Sequence, residues 1–271
     1  MARSWEVTPG SQSHRFVVRT YTANYLLPVR FTSPVNHAPY SPTRGVAPAH
    51  AGYGSLDMAL QVSLRTKVAS SLLQPHDGLW LAYTQNSSWQ LWDGDESRPF
   101  RNTDYQPEAM YVAPAPEGMR VLPGGWQVRL WQFGFAHQSN GQSNPLSRSW
   151  NRLFLRVGAD NGHFGLMAGL DHRLRETRSE DDNPDLTDYI GKVELRASWG
   201  SDRVRTMLRA RLNPSRLDRG SLQLAWSYPI YADDPSGVRW YVQAFTGYGE
   251  TLLDYNHRQT SFGLGVMLFQ F

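Results

Sequence analysis

The chain has 271 residues, of which 40% are hydrophobic and 13% are aromatic, and it contains no cysteine. The lack of cysteine excludes disulfide scaffolds, thiolate metal sites and cysteine nucleophiles. The formal net charge is only +3 at pH 7, and the basic residues are scattered along the chain, so we expect no nucleic acid as a partner.

Residues 1–50 are predicted to form an N-terminal arm or loop region. They show little periodicity, and the stretch SPVNHAPYSPTRGVAPAHAG (33–52) contains four prolines. The chain start, MARSWEVTPGSQSHRF, lacks the basic start and the apolar core of a signal peptide. The sequence contains no run of about 18 apolar residues, which excludes a transmembrane helix.

Residues 51–271 are predicted to form a single β-barrel domain, because their dominant signal is a period of two. In residues 203–212, for example, apolar or small residues alternate with four arginines and one methionine. One interpretation is a soluble β-sandwich with its charges outside, and the other is a transmembrane barrel with a hydrated lumen. The arginine-rich face and a final amphipathic strand that ends in Phe271 favour the barrel.

Turn sequences such as PGGW (123–126) and NGH (161–163) separate strands of about ten residues. A strand that crosses a membrane at a tilt needs about 9–11 residues. The length of the chain therefore accommodates roughly ten to fourteen antiparallel strands.

The stretch WQFGFAHQSNGQSNPLSRSWNR (131–152) contains candidate catalytic residues. Alternation places His137 and Ser139 on the same face as three aromatic residues at alternate positions. Asn151 begins the next strand and is expected to point outward beside them. A serine hydroxyl needs a base that accepts its proton, and the base needs a third group that orients its ring. The three residues are therefore a candidate nucleophile, base and orienting group.

A histidine two residues before a serine is by itself most often structural. The chain has no G-x-S-x-G nucleophile elbow and no H-E-x-x-H zinc motif. The remaining histidines have no comparable context and are expected at the surface: His14, His37, His50, His76, His163, His172 and His257.

The segment HQSNGQSNPLSRSWNR (137–152) resembles the active-site segment of bacterial outer-membrane phospholipase A, a calcium-dependent barrel enzyme. Further matches occur in the family's order: YTQNSSWQLW (83–92), PFRNTDYQPE (99–108), DDNPDLTDYIG (181–191) and TGYGETLLDYN (246–256). The resemblance covers roughly residues 79–271. It implies an all-β fold, an antiparallel transmembrane barrel of about twelve strands in a Gram-negative outer membrane.

The resemblance also implies an activity, the calcium-dependent hydrolysis of acyl ester bonds in phospholipids and lysophospholipids. On the matching positions, Ser139 is the nucleophile, His137 is the base and Asn151 is the orienting amide. The backbone N–H of Gly141 matches the group that stabilises the oxyanion. The resemblance implies that the active state is a homodimer.

The calcium ligands implied by the resemblance are the Ser147 hydroxyl, the backbone carbonyl of Gln142 and the carbonyl of Ser97 from a partner subunit. The chain has Gln142 where the family carries arginine, a change that matters little for a backbone contact. Asp182 matches the carboxylate of a second calcium site, and Asn144 stands where an aspartate is expected there. The other acidic residues nearby are expected to form a solvated loop: Glu180, Asp181, Asp185 and Asp188.

Alternation places Gln85 on the same face of its strand as Leu79, Leu81 and Tyr83. Because an amide without a partner is costly on a lipid-facing surface, a partner for Gln85 is expected. The resemblance implies that Gln85 bonds across the interface of the homodimer. A position just outside the hydrocarbon region remains an equal alternative.

Two other functions remain open from the residues alone. A non-enzymatic outer-membrane porin or binding barrel with a degenerate site would share the strand pattern, and a planar-bilayer conductance measurement distinguishes it. A soluble β-sandwich lectin that binds calcium through the acidic loop would be soluble without detergent. Neither alternative accounts for the several motifs that follow one another in the family's order.

Overall fold

The computed structural model describes residues 1–50, 52–95, 100–177, 179–201, 203–234 and 236–267. The strands are β1 (Val18–Thr20), β2 (Tyr25–Ser33), β3 (Tyr40–Ser41), β4 (Gly45–Val46), β5 (Leu56–Ser70), β6 (Gly78–Trp89), β7 (Asn102–Pro114), β8 (Gln127–Ser139), β9 (Ser149–Asn161), β10 (Phe164–Arg173), β11 (Val193–Gly200), β12 (Arg205–Leu212), β13 (Gly220–Pro229), β14 (Arg239–Gly247) and β15 (Gln259–Met267). The helices are α1 (Leu186–Ile190) and the 3-10 turns Glu117–Met119 and Pro123–Gly125. In the described ranges, no helix is long and apolar enough to cross a membrane.

β2 and β5 to β15 form a closed barrel of twelve strands, and every neighbouring pair is antiparallel. The barrel closes where β15 pairs with β2 and β2 pairs with β5. The short β1 lies along the same edge of β5 as β2, beyond the end of β2. The predicted all-β antiparallel barrel of about twelve strands is confirmed.

β2 lies within residues 1–50, where the sequence pattern predicts an arm or loop region. Tyr25 and Leu27 face inward before a bulge that follows Leu27, and Arg30 and Thr32 face inward after it. The inward positions thus change from odd to even numbers within nine residues. This change of parity hides the period of two that the other strands display, and the barrel begins one strand earlier than residue 51.

The two faces of the barrel have opposite polarity. On β9, Leu155 and Val157 point outward and are 47% and 41% exposed, whereas Arg152 and Arg156 point into the lumen and are 1% and 5% exposed. A soluble sandwich buries its aliphatic side chains and exposes its arginines. Here the arginines are buried and the aliphatic side chains are exposed, which suits a barrel with lipid outside.

The arginine-rich face of β12 points into the lumen, as the sequence pattern predicts. Arg209 and Arg211 pair there with Glu194 of β11 at 2.5 and 3.2 Å. These ion pairs satisfy the charges inside the barrel, while Leu195, Trp199 and Leu208 are exposed on its outer surface.

The N-terminal arm enters the lumen and fills part of it. The rings of Trp5 and Trp80 meet edge to face with centroids 5.5 Å apart. The Arg65 guanidinium lies 3.7 Å above the Trp5 ring, and Glu6 forms a buried ion pair with Lys67. This part of the interior is therefore packed and charged.

Candidate active site

β8 carries the candidate nucleophile and base at its C-terminal end. Phe133 and Phe135 point outward and are 48% and 40% exposed, while Gly134 and Ala136 face the lumen. His137 and Ser139 continue the outward row and are half-buried. The structure therefore gives these two residues the orientation that alternation predicts.

Asn151 is directly opposite His137 in the pairing of β8 with β9. His137 Nδ1 and Asn151 Oδ1 are 2.9 Å apart. An amide oxygen can only accept a hydrogen bond, so we assign the proton to Nδ1. The other ring nitrogen, Nε2, is then unprotonated and is the basic atom of the imidazole.

Ser139 follows His137 by two residues on the same face and pairs with Ser149 across the strands. Two such positions on a strand are about 6.6 Å apart at Cα, a distance that the two side chains can span by leaning together. Within the described residues, the Ser139 hydroxyl forms no hydrogen bond. Catalytic hydrogen bonds of this kind often tighten only when substrate is bound.

The loop after β8 is organised around Asn140, a residue to which the sequence pattern gave no role. Its side-chain oxygen accepts hydrogen bonds from the backbone N–H groups of Arg148 at 2.9 Å and Gln142 at 3.3 Å. Its amide nitrogen donates to the Leu146 carbonyl at 2.8 Å. The polar composition of residues 140–148 predicts a loop, but it does not identify which side chain holds the loop together.

Gly141 has a left-handed backbone conformation, with φ of 63°. A Cβ atom at this position would lie 3.2 Å from Cε2 of Tyr105. Both observations favour glycine here. Among the described residues, no group accepts a hydrogen bond from the Gly141 N–H, which leaves that donor available to an anion.

Glu176 completes a chain of contacts that the sequence pattern did not reveal. The Asn151 amide nitrogen donates a hydrogen bond to Glu176 Oε1 at 2.8 Å. Burial raises the pKa of Glu176, although the hydrogen bond from Asn151 acts in the opposite direction. No periodic signal links the two residues, because Glu176 lies in the irregular loop after β10.

Two of the predicted calcium ligands are in direct contact. The Ser147 hydroxyl donates a hydrogen bond to one carboxylate oxygen of Asp182. Among the described residues, no group donates a hydrogen bond to the backbone carbonyl of Gln142. Hydroxyl, carbonyl and carboxylate oxygens are the donors that Ca²⁺ prefers, so these residues fit calcium. Ser97, the remaining predicted ligand, lies outside the described residues.

The hairpin of β3 and β4 contacts Asp182, one of the predicted calcium ligands, and brings a cation to it. Arg44 Nε donates to the second carboxylate oxygen of Asp182 at 2.7 Å. The Ser41 hydroxyl donates to the Asp182 backbone carbonyl at 2.6 Å. Asn144 is exposed on the neighbouring loop and brings no carboxylate. In the part of the chain that the structure describes, no three acidic or histidine side chains are arranged to hold a metal.

Two acidic residues that were expected in a solvated loop have specific partners instead. Asp181 pairs with Arg173 at 2.7 Å, and Asp185 accepts a hydrogen bond from the Tyr255 hydroxyl at 2.5 Å. These contacts attach the acidic loop to the barrel wall and to the loop before β15.

Gln85 points outward from β6 beside Tyr105 of β7. Its side-chain oxygen accepts a hydrogen bond from the Tyr83 hydroxyl at 3.1 Å, and its amide nitrogen donates to Ser87 at 3.4 Å. An amide nitrogen has two hydrogens, and among the described residues the hydrogen bond to Ser87 uses one of them.

Residues 1–268 match the model of the phospholipase A1 family. The chain belongs to this family. A putative phospholipase A1 of Neisseria meningitidis serogroup B is 38% identical over 256 residues, which cover 92% of this chain and 65% of the relative. The phospholipase A1 of Escherichia coli K12 is 37% identical over 212 residues, or 78% of this chain and 69% of the relative. The chain thus spans about two thirds of the length of these two relatives.

Solved structures of phospholipases A have the same fold as this member of the phospholipase A1 family. Outer membrane phospholipase A from Escherichia coli matches with a TM-score of 0.81 and 32% identity, over 98% of this chain and 96% of that one. A calcium-bound dimer of the Salmonella typhi outer membrane phospholipase matches with a TM-score of 0.81 and 31% identity, over 99% and 97%. The resemblance to outer-membrane phospholipase A is therefore confirmed.

Proposed function

We propose that this protein is a calcium-dependent phospholipase of the Gram-negative outer membrane that hydrolyses acyl esters of phospholipids and lysophospholipids. The observation that carries the proposal is the 2.9 Å contact between His137 Nδ1 and Asn151 Oδ1, with Ser139 on the same outward face. An imidazole oriented in this way beside a serine is the core of a serine hydrolase site. Membership of the phospholipase A1 family supports the same substrate class.

In the first half of the reaction, Ser139 Oγ attacks the carbonyl carbon of the acyl ester and its proton passes to His137 Nε2. Asn151 Oδ1 accepts the Nδ1–H bond and so stabilises the imidazolium that forms. The Gly141 N–H donates to the oxygen on which negative charge develops. The ester C–O bond then breaks, and the leaving alcohol takes the proton from His137.

In the second half of the reaction, water hydrolyses the acyl-serine. His137 Nε2 accepts a proton from the water as its oxygen attacks the acyl carbon. The same proton returns to Ser139 Oγ when the ester bond to the enzyme breaks. The products are a fatty acid and free enzyme, and His137 regains its starting protonation state.

The calcium ligands in this proposal are the Ser147 hydroxyl, the Gln142 carbonyl and the Ser97 carbonyl from a second copy of the chain. Bound at these oxygens, calcium supplies positive charge near the developing oxyanion. Ser147 and Gln142 lie in the loop that also contains Gly141, and Asn140 holds that loop in shape. The role of this loop is therefore to hold the oxygen ligands for calcium next to the N–H group that stabilises the oxyanion.

A shared ligand set requires a homodimer, and Gln85 is our candidate for its interface. The Salmonella typhi relative has been solved as a dimer with bound calcium, which supports this assembly. Gln85 lies on an apolar barrel surface with a second amide hydrogen, and it would gain from a partner amide across such an interface. Phospholipid hydrolysis by a species that remains monomeric in detergent with calcium would contradict the dimer.

Substrate would reach the site sideways from the membrane. His137 and Ser139 continue the outward row of Phe133 and Phe135, so the reacting atoms border the lipid rather than the lumen. A diacyl lipid can then present an ester to Ser139 while its chains remain in the hydrocarbon region.

The test is phospholipid turnover in detergent, with calcium and with a chelator in its place. We expect calcium-dependent release of fatty acid, and a loss of at least about 10³-fold in Ser139→Ala. Ser198→Ala is the matched control, because Ser198 is on β11 in a lumen-facing position and donates only a weak hydrogen bond of 3.4 Å. Full turnover by Ser139→Ala would exclude the proposed mechanism.

A further inference from the structure

We propose that Glu176 is a positioning residue of the active site, which acts on His137 by fixing the orientation of the Asn151 amide. This inference rests on the proposed function. Its geometric basis is the continuous series of contacts from His137 Nδ1 to Asn151 Oδ1 at 2.9 Å and from Asn151 Nδ2 to Glu176 Oε1 at 2.8 Å.

An asparagine side chain can rotate by a half turn and exchange its oxygen with its amino group. In one orientation Asn151 accepts a hydrogen bond from His137 Nδ1–H, and in the other its amino group would oppose that N–H. An ionised carboxylate only accepts hydrogen bonds. Glu176 therefore stabilises the orientation in which the amino group faces the carboxylate and the oxygen faces the histidine.

The segment that carries Glu176 is anchored to the strand that carries Asn151. The Leu174 N–H donates to the Asn151 carbonyl at 2.8 Å. Arg173 donates to the Asn183 carbonyl at 2.7 Å and pairs with Asp181. These contacts fix the start of the loop two residues before Glu176, so the carboxylate meets Asn151 from a defined direction.

Glu176 also brings a negative charge that a neutral asparagine lacks. An aspartate in the third position of a serine-hydrolase triad stabilises the imidazolium by its charge. Here the charge lies one residue further away and is transmitted through the polarised amide. Because the imidazolium forms only as the reaction proceeds, Glu176 should affect kcat rather than KM.

A double-mutant cycle between Glu176 and Asn151 tests this inference. We expect Glu176→Ala to lower kcat about tenfold with KM unchanged when Asn151 is present. In the Asn151→Ala background the same substitution should change kcat less than about twofold, because the route to His137 is gone. Glu180→Gln is the matched control, since Glu180 is exposed on the same loop and its side chain accepts a hydrogen bond from Thr177.

A second readout is the pH profile of kcat/KM. The other charged groups that face Glu176 are Arg173, Asp181 and Asp182, and Glu176→Ala leaves them in place. Removal of the negative charge should shift the acid limb, which reports protonation of His137, to lower pH. If Glu176 only stabilised the loop, Glu176→Ala would leave the pH of the acid limb unchanged.

Equal losses of kcat in both backgrounds, or no loss at all, would overturn the role of Glu176, as would an unshifted acid limb. The mobility of the unheated barrel on a gel and its thermal midpoint check that each variant is folded. The proposed function fails separately, through full turnover by Ser139→Ala. A turnover that depends on Ser139 but is indifferent to Glu176 would overturn this inference alone.

Discussion

Gly141 has a backbone conformation that other residues rarely adopt, two positions after Ser139. Its φ is 63°, and a Cβ atom would lie 3.2 Å from the Tyr105 ring. Gly141→Ala should therefore displace the N–H that we assign to the oxyanion. We expect kcat for a soluble ester substrate to fall about 10²-fold with little change in KM.

Gly162→Ala is the control for backbone strain alone. Gly162 also has a positive φ, of 57°, and no atom lies within 4 Å of its Cβ position. This variant should lose about 1 kcal/mol of stability and keep its kcat. If Gly141→Ala had the kcat of the unaltered protein, the oxyanion role of this residue would be wrong.

At the level of residues, the sequence pattern predicts outward side chains but not the contacts that support them. Alternation along β8 and β9 places His137, Ser139 and Asn151 on one surface, and the structure has them there. Asn140 and Glu176 lie in irregular loops, where no period relates a position to a direction. Their roles depend on how two loops fold back on the barrel, which is tertiary information.

At the level of elements, the β3–β4 hairpin is the part of the N-terminal region that bears most directly on the site. It attaches to the acidic loop through Ser41, Thr43 and Arg44, each of which contacts Asp181 or Asp182. The Arg44 guanidinium neutralises the carboxylate that a cation would use. We therefore propose that the hairpin competes with calcium at Asp182, the residue that matches the carboxylate of a second calcium site in the resembled family.

Arg44→Ala should tighten calcium binding about tenfold, because it frees the Asp182 carboxylate from its cationic partner. Calorimetric titration of the protein in detergent measures the affinity, and the shift of the thermal midpoint with calcium gives a second value. Arg175→Ala removes the same charge from an exposed position on the loop that also carries Asp182 and should have a much smaller effect. Unchanged or weaker binding in Arg44→Ala would refute this competition.

The proline-rich composition of residues 34–50 predicts an irregular segment but gives no indication of its partner. Contacts such as that of Arg44 with Asp182 join residues 138 positions apart. A single sequence contains no local signal for such pairs. β2 was not predicted for a different reason. Its bulge changes the inward positions from odd to even numbers, so the strand lacks a continuous period of two.

At the level of the whole molecule, the barrel turns its apolar side chains outward and its charges inward. Phe133, Phe135 and Leu155 belong to an outer surface suited to lipid, whereas Arg156 and Glu194 lie in a packed lumen. The period of two along the strands predicts this inversion, because it fixes which residues share a face. The ion-paired and partly filled lumen argues against a conducting porin, and the candidate catalytic residues lie on the outer face.

The most direct test of that arrangement is covalent labelling by a long-chain alkylsulfonyl fluoride in mixed micelles with calcium. Ser139 Oγ would form a bond to sulfur as fluoride leaves, and His137 would accept the serine proton. Mass spectrometry of the digested protein should find one alkylsulfonyl group, on the peptide that contains Ser139, and none in Ser139→Ala. Labelling at another residue, or equal labelling of Ser139→Ala, would contradict a lipid-facing serine nucleophile at this position.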